Sequence, residues 1–215
     1  FMLNPWRKLC KEGPYILEED RDTVSYYNEK AKGNYKIIED VMPVPFVGSV
    51  LDSEIVILMS NPKYNDTTRE LENNEYKEKL IKIFNHECVE YPFFCLDPDI
   101  QVGKDYWISK LKGLLFFYKN WNEISNKVSN IQLHPYSSRE FKPLKDLPSQ
   151  KYSAYLVKKA IERKAFIIVA RGKRYWLQLV PELNNYNYFT LNSWRSPSIS
   201  IKNCPDLFEK LNPIK

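Results

Sequence analysis

The stretch Glu54-Ile-Val-Ile-Leu-Met59, followed at once by Ser60-Asn61-Pro62, decides the fold that this sequence predicts. A nearly unbroken apolar run of this length is typical of a strand that is covered on both faces. A second run, Ala165-Phe-Ile-Ile-Val-Ala170, has the same character. Strands buried on both faces occur mainly in parallel sheets between layers of helices. The two runs therefore predict an α/β fold.

Two shorter runs and several helical patterns extend this prediction. Residues 130–134 and 187–191 are further candidate strands. Apolar side chains at helical spacing predict helices over residues 21–32, 68–84, 106–118, 149–163 and 173–180, the fourth of them with Ser149 as its N-cap. Because strands and helices alternate, we predict a single domain over residues 1–215, a three-layer α/β/α fold with a central four-stranded, mainly parallel sheet.

The charge of the chain is mildly basic. It has 32 Lys and Arg against 27 Asp and Glu, for a formal net charge of +5. This excess suits a nucleic-acid partner but does not require one, since the charges are mixed along the chain. Hydrophobic residues make up 43% of the sequence, which excludes a disordered chain.

Four cysteines, Cys10, Cys88, Cys95 and Cys204, are spread along the chain without a C-x-x-C pair. Their spacing favours reduced, mostly structural thiols over a zinc site or a disulfide framework. The sequence has no apolar stretch of membrane-spanning length and no basic-then-apolar leader. We therefore expect a soluble, cytoplasmic protein that does not enter membranes, and a monomer, since no zipper pattern is present.

Polar residues follow all four predicted strands. Ser60-Asn61-Pro62-Lys63-Tyr64 follows the first, His134-Pro135-Tyr136-Ser137 the second, Arg171-Gly172-Lys173-Arg174 the third and Arg195-Ser196-Pro197-Ser198 lies after the fourth. In parallel α/β sheets, ligands bind beyond the carboxyl ends of the strands. These four segments are therefore the candidate site, although their spacing alone names no reaction.

The order of several of these segments along the chain resembles that of a known family. Val44-Pro-Phe-Val-Gly48 precedes the first strand and Ser60-Asn61-Pro62 follows it, then comes Ala170-Arg-Gly-Lys173, and Arg195-Ser-Pro-Ser-Ile-Ser200 comes last. In order and spacing, over about residues 41–203, this resembles the uracil-DNA glycosylase superfamily. Its first motif ends a strand with an acid or amide before proline, and its second is a His-Pro-Ser-Pro-Leu-Ser type of loop.

The sequence departs from that family's patterns at four positions. Asn61 stands where the uracil-specific branch has aspartate, which is closer to the mismatch-specific thymine/uracil branch. Lys63 replaces Tyr or Gly, Arg195 replaces histidine, and His134 falls where a base-reading asparagine often ends the second strand. The four cysteines do not match the iron–sulfur branches, so we expect no cluster.

The resemblance implies a monofunctional DNA glycosylase that flips out a base and hydrolyses its N-glycosidic bond without metal or cofactor. Asn61, Arg195 and His134 are the expected catalytic residues. Asn61 would orient a water, Arg195 would stabilise the base anion or bind a phosphate, and His134 would donate a hydrogen bond to the base. Each also has a structural explanation, as a turn cap, a surface arginine and a structural histidine before Pro135.

Two further sets of residues are expected to contact the DNA. One would line the pocket for the flipped base: Pro62, Lys63, Tyr64, Phe93, Phe94, Tyr136 and Ser137. The other would bind phosphates: Arg171, Lys173, Arg174, Ser196, Ser198 and Ser200. Each aromatic residue could equally be part of the core, and a basic cluster is usually a solvated face.

The expected substrate is DNA with a modified or mismatched pyrimidine, because the departures fall at positions that would read or activate uracil. Two settings fit this, DNA repair and defence against phages with modified cytosines. Two other functions stay open. One is a DNA- or protein-binding module of the same fold that has lost catalysis, and the other is a hydrolase of free nucleosides or nucleotides.

Overall fold

A computed structural model describes residues 2–193 and 195–211. It confirms the predicted α/β fold: a mostly parallel sheet packed between helices. The sheet has five strands, β1 Phe46–Val47, β2 Ile55–Met59, β3 Val128–Gln132, β4 Phe166–Val169 and β5 Phe189–Thr190. They are arranged in the order β1-β3-β2-β4-β5.

The four predicted strands are β2 to β5, and they form the parallel part of the sheet. β2 pairs in parallel with β3 on one side and with β4 on the other, and β4 pairs in parallel with β5. The predicted count of four strands is wrong by one, because β1 pairs antiparallel with β3. β1 has only two residues, which is too short to show an alternating pattern.

Eight α-helices lie within the described residues. They are α1 Arg21–Lys30, α2 Thr68–Leu71, α3 Asn74–Phe84, α4 Lys104–Leu111, α5 Trp121–Lys127, α6 Gln150–Glu162, α7 Lys173–Leu179 and α8 Pro205–Lys210. Every residue of β2 and β3 is buried, so the sheet is covered on both faces at its centre. The buried apolar side chains of sheet and helices form one cluster.

Three helix predictions differ in detail from the structure. The segment over residues 68–84 is divided into α2 and α3, because the side chain of Asn73 accepts a hydrogen bond from the backbone N–H of Tyr76 and starts a new helix there. The segment over residues 106–118 is α-helical only to Leu111 and continues as a 3-10 helix, Lys112–Phe116. The Ser149 side chain makes no capping hydrogen bond at the start of α6.

The strand order defines one point at which the chain reverses direction across the sheet. From β2 the chain goes to β3 on one side, and from β3 it crosses over to β4 on the other side of β2. From β4 it continues outward to β5. The connections after β2 and β4 therefore lead to opposite sides, and the carboxyl ends of these two strands flank a crevice of the kind in which α/β proteins bind ligands.

The described part of the chain also bears on the expected cysteine chemistry and membrane relations. Cys95 and Cys204 are buried, Cys10 and Cys88 are exposed, and all four are free thiols. Within residues 2–193 and 195–211, no group of three or more His, Cys, Asp or Glu side chains is placed to hold a metal ion. In the same ranges no helix has both the length and the apolar character needed to cross a membrane.

Gly48 fixes the approach of β1 to β3 and gives a test of this packing. Its φ is +90°, and a Cβ added there would lie 2.4 Å from the carbonyl oxygen of Val128 and 2.9 Å from Cα of Ser129. We expect Gly48→Ala to lower the free energy of unfolding by at least about 3 kcal/mol, since strain and a backbone clash add.

Gly33 is the matched control for that prediction. The free energy of unfolding of both variants is measured by urea denaturation. Its φ is +53°, but a Cβ there would meet nothing within 4 Å. Gly33→Ala should therefore cost only the backbone penalty of about 1 kcal/mol. Equal losses in the two variants would contradict the close approach of Gly48 to β3.

Candidate functional site

Asn61 lies two residues beyond the end of β2, one of the two strands that flank the crevice. Its side chain is partly buried. The amide nitrogen Nδ2 donates to Ser138 Oγ at 2.8 Å and to the backbone carbonyl of Pro62 at 3.1 Å. These bonds bring together the first and second strand ends, as the predicted site requires.

The hydrogen bonds of Ser138 fix which way the Asn61 amide faces. The Ser138 hydroxyl donates to the backbone carbonyl of Glu140 at 2.8 Å, so its oxygen is available as an acceptor for Asn61 Nδ2. The nitrogen of Asn61 must therefore face Ser138, and the carbonyl oxygen Oδ1 faces away. No donor among the described residues is bonded to Oδ1, which leaves this oxygen able to accept from a ligand or a water.

The backbone around Asn61 is held as firmly as its side chain. Lys63 and Ser138 form a parallel bridge beyond the ends of β2 and β3. The backbone N–H of Tyr64 donates to the Ser138 carbonyl at 3.0 Å, and the N–H of Ser138 to the Pro62 carbonyl at 3.4 Å. The chain after β2 and the chain after β3 thus pair again at Lys63 and Ser138. Asn61 lies between this pairing and the pairing of β2 with β3.

The loop after β4 comes close to the end of β2. Gly172 has a φ of +69°, and a Cβ added there would lie 3.3 Å from Ser60 Oγ. Trp176, on α7, is completely buried, and its indole N–H donates to the carbonyl oxygen of Met59 at 3.0 Å. These contacts place the start of α7 beside Ser60, the residue just before Asn61.

Three cations predicted to bind phosphate lie after β4: Arg171 is in the loop, and Lys173 and Arg174 are in the first turn of α7. Lys173 and Arg174 are exposed, and the Lys173 ammonium is 5.2 Å from the centre of the Tyr188 ring. Arg171 is partly buried, and its Nε is a buried donor without a hydrogen-bond partner among the described residues. A buried guanidinium N–H that lacks a partner carries a desolvation cost, which an anionic ligand could offset.

His134 occupies a structural position rather than an open one. Its side chain is buried, and its Nε2 accepts a hydrogen bond of 3.1 Å from the backbone N–H of Leu144. Burial lowers the pKa of His134 to about 4, so the ring is neutral near pH 7. Because Nε2 is already an acceptor, this geometry favours the structural explanation over hydrogen bonding to a base.

The aromatic side chains predicted to line the pocket are all buried. Phe93 packs edge-on against Trp107, and Phe94 packs edge-on against Tyr76. The rings of Phe93 and Phe94 thus lie in the core, where they cannot stack on a flipped base without rearrangement. Tyr64 is buried next to the strand ends, beneath the guanidinium of Arg139 at 5.2 Å.

Tyr136 and Ser137 also serve the fold. The Tyr136 hydroxyl donates to the buried Asp20 carboxylate at 2.6 Å and accepts from the backbone N–H of Leu17 at 3.1 Å. Ser137 is buried, and its carbonyl accepts from the backbone N–H of Ile38 at 2.9 Å. Asp20 in turn accepts from the N–H of Ser149, so these residues fasten the N-terminal segment to the start of α6.

The loop after β5 is shaped by Asn203, which the sequence analysis did not single out. Its Nδ2 donates to the backbone carbonyls of Ser196 at 3.0 Å and Ser198 at 2.8 Å, and its Oδ1 accepts from the N–H of Ser193 at 2.6 Å. Arg195 and Ser196 are exposed on this loop, while Ser198 and Ser200 are partly buried.

A second contact holds the same loop against α4. The side chain of Ile199 is buried, and its backbone N–H donates to the Lys110 carbonyl at 2.8 Å. Gly113 allows this approach, because a Cβ there would lie 2.3 Å from the Ile199 carbonyl oxygen. Gly113 lies inside the helical pattern predicted over residues 106–118, and nothing local indicates its role, since the contact spans more than 80 residues.

The parallel sheet sets the spacing between the parts of the site. β5 lies two strands from β2, which puts their backbones about 10 Å apart. Arg195 follows β5 and Asn61 follows β2, so both belong to the same edge of the sheet. The site therefore combines a fixed amide with cations on two neighbouring loops, along one edge.

Comparisons with known proteins identify no relative. No family model matches the sequence, and no similar chain was found among curated proteins or solved structures.

The structural role of His134 predicts a specific pH dependence. A histidine whose pKa is about 4 when folded and about 6.5 when unfolded stabilises the fold above pH 6.5, and this stabilisation is lost as the pH falls toward 4. Between pH 7.5 and pH 5 the loss should be about 2 kcal/mol.

The variant His134→Gln provides the comparison, because its amide oxygen can still accept from Leu144. Urea unfolding at both pH values should show a smaller loss for the variant than for the wild type, and taking the difference cancels the other titrating groups. Identical losses in the two proteins would show that His134 is not buried in its neutral form.

Proposed function

We propose that this protein is a monofunctional DNA glycosylase that removes a modified or mismatched pyrimidine by hydrolysis. The observation that carries the proposal is the orientation of Asn61, whose amide nitrogen is bonded to Ser138 and Pro62 and whose Oδ1 faces away from them. An amide held in this way just beyond the carboxyl end of β2 can orient a water toward a bound sugar.

The reaction breaks the bond between C1′ of the deoxyribose and the base nitrogen, and the bonding electrons leave with the base. Positive charge builds up on the sugar and negative charge on the base. Water then attacks C1′, with one of its hydrogens bonded to Asn61 Oδ1. The products are the free base, which acquires a proton, and an abasic site in the DNA.

The use of an amide in place of a carboxylate has a chemical consequence. Asn61 can align the water but cannot take its proton, so the proton passes to solvent or to the departing base. The reaction then depends more heavily on a good leaving group. This favours pyrimidines that are modified or mispaired, because they leave or flip out more easily than normal bases.

Cations along the same edge would bind the charged parts of the substrate. Arg171 in the loop after β4, with Lys173 and Arg174 at the start of α7, would contact phosphates, and Arg195 after β5 would contact a phosphate or the base anion. The hydroxyls of Ser196, Ser198 and Ser200 would add neutral phosphate contacts.

The proposal extends to the setting of the reaction. We expect a cytoplasmic monomer that acts in DNA repair or in defence against phages with modified cytosines, and DNA is its expected partner. His134, Tyr136, Phe93 and Phe94 have structural roles that account for their positions, so the proposed chemistry does not use them.

The test is incubation with a panel of oligonucleotides that carry mismatched, damaged and phage-type modified pyrimidines, followed by alkali. At least one oligonucleotide should be cut at the modified position. DNA binding without cutting across the panel would favour a non-catalytic binding module. Release of base from free nucleotides, but not from DNA, would favour a nucleoside hydrolase.

Two variants connect the activity to the proposed site. Asn61→Ala should lower the single-turnover rate about 100-fold, since it no longer orients water, and should leave the Kd for DNA within about twofold. Ser138→Ala, which frees the amide, should lower kcat without raising KM, and Ser138→Thr should restore it. Full activity in Asn61→Ala would refute the role of Asn61.

A further inference from the structure

A groove of about 600 Å³ lies between α1 and the loop of residues 142–146, outside the site described above. One helical face of α1 forms its first wall, and Lys142, Pro143 and Leu144 form part of the second. The groove is partly open to solvent, and five of its eleven lining residues lie on α1.

Tyrosine rings give this groove flat surfaces. Tyr26 is 60% exposed on α1, whose only buried residue is Val24, and Tyr27 beside it is half-buried. The ammonium of Lys30 lies 3.7 Å from the centre of the Tyr26 ring and also contacts its hydroxyl. Because the ammonium lies over one face of the ring, an unpaired base would stack on the other face, and the cation would neutralise the charge of its phosphate.

The charge around the groove favours an anion. Three exposed lysines line it, Lys30, Lys142 and Lys145, against two aspartates, Asp22 and Asp146. Lys142 and Lys145 stand on the wall opposite Tyr26, so a strand that stacks on the ring would have cations on both sides. No ion pair within the described residues engages Lys30, Lys142 or Lys145 with a carboxylate.

One continuous segment joins the groove to the proposed catalytic site. Ser138, which holds the Asn61 amide, precedes Lys142 by four residues, so their Cα atoms are at most about 15 Å apart. The same segment is fastened to the sheet edge where the Leu144 N–H donates to His134 Nε2 at 3.1 Å, and Phe141 contacts the rings of both His134 and Tyr175. One wall of the groove is therefore held against the same end of the sheet as the strand-end site.

We propose that this groove binds a single-stranded segment of DNA, the nucleotides that flank the target base. That a target base is present follows from the proposed glycosylase function, on which this inference rests. That the flanking nucleotides are single-stranded follows from the groove itself. Stacking on Tyr26 requires a base with a free face, which a paired duplex does not offer at its side. The protein should therefore prefer single-stranded DNA over duplex DNA of the same sequence.

The experiment measures fluorescence anisotropy of a labelled oligonucleotide that carries no modified base, in single-stranded and duplex form. Tyr26→Ala should weaken single-strand binding about tenfold, and Tyr26→Phe, which keeps the ring, should stay within about twofold. Loss of binding in both variants, or in neither, would overturn the stacking role of Tyr26.

Salt dependence tests the lysines. With two phosphate contacts removed, the double variant Lys142→Gln/Lys145→Gln should reduce the slope of log K against log salt by about 1.4. The control is Lys82→Gln, an exposed lysine on α3 away from the groove, which should leave the slope unchanged. An equal slope in the double variant and the wild type would overturn the proposal, as would tighter binding to the duplex.

These binding measurements separate the two proposals. Groove-dependent binding of single strands without base release from any modified oligonucleotide would leave the groove proposal standing and refute the glycosylase. Base release by a protein whose Tyr26 and lysine variants bind and react as the wild type does would support the glycosylase and refute the groove. Circular dichroism of each variant checks that these surface substitutions leave the fold intact.

Discussion

The carbonyl oxygen of Met59, the last residue of β2, accepts two hydrogen bonds on which the candidate site depends. One comes from the backbone N–H of Leu133, just past β3, and the other from the indole N–H of Trp176 on α7. The central strand, the strand beside it and the helix after β4 are thus joined at one atom. Trp176 is fully buried, so this junction lies in the core while the next residues emerge from the sheet.

Asn61 acquires a defined orientation because it leaves the sheet at this junction. The chain beyond β3 runs alongside it and supplies Ser138, and the chain beyond β4 supplies Gly172 and the cations that follow. A polar group that is oriented before a ligand arrives costs no reorganisation during a reaction, which is how fixed dipoles contribute to catalysis. One wall of the groove along α1 belongs to the chain segment that follows Ser138, and we propose that a DNA strand passes from this groove to the amide of Asn61.

The sequence allowed the parallel sheet, and the polar segments that follow its strands, to be predicted for a local reason. Continuous apolar runs identify strands buried on both faces, and the polar residues just after them must then meet at one edge. β1 could not be predicted, because two residues have no periodicity. The break before α3 depends on the cap formed by Asn73, which lies inside an otherwise continuous helical pattern.

The hydrogen-bond and packing partners of the site residues could not be predicted from the sequence. Ser138 is 77 positions from Asn61, and nothing local indicates that their side chains meet. Phe93, Phe94 and Tyr136 were plausible pocket residues because an aromatic side chain serves equally in a core or a binding site, and only the packing shows that they are buried. The structural role of His134 could not be predicted either, because the N–H that its Nε2 accepts belongs to Leu144, ten residues further along the chain.

An NMR titration of the ¹⁵N-labelled protein tests the proposed role of Asn61 most directly. The ligand is a single-stranded oligonucleotide that contains one tetrahydrofuran abasic residue, a mimic of the proposed product. The unmodified oligonucleotide serves as the control, and the Asn61→Gln variant assigns the Asn61 side-chain amide signals. A sugar that binds beside Asn61 should shift these signals, and the backbone amides of Ser60 and Gly172, more with the abasic oligonucleotide than with the control. Saturating binding that leaves all three unchanged would contradict the proposed role of Asn61.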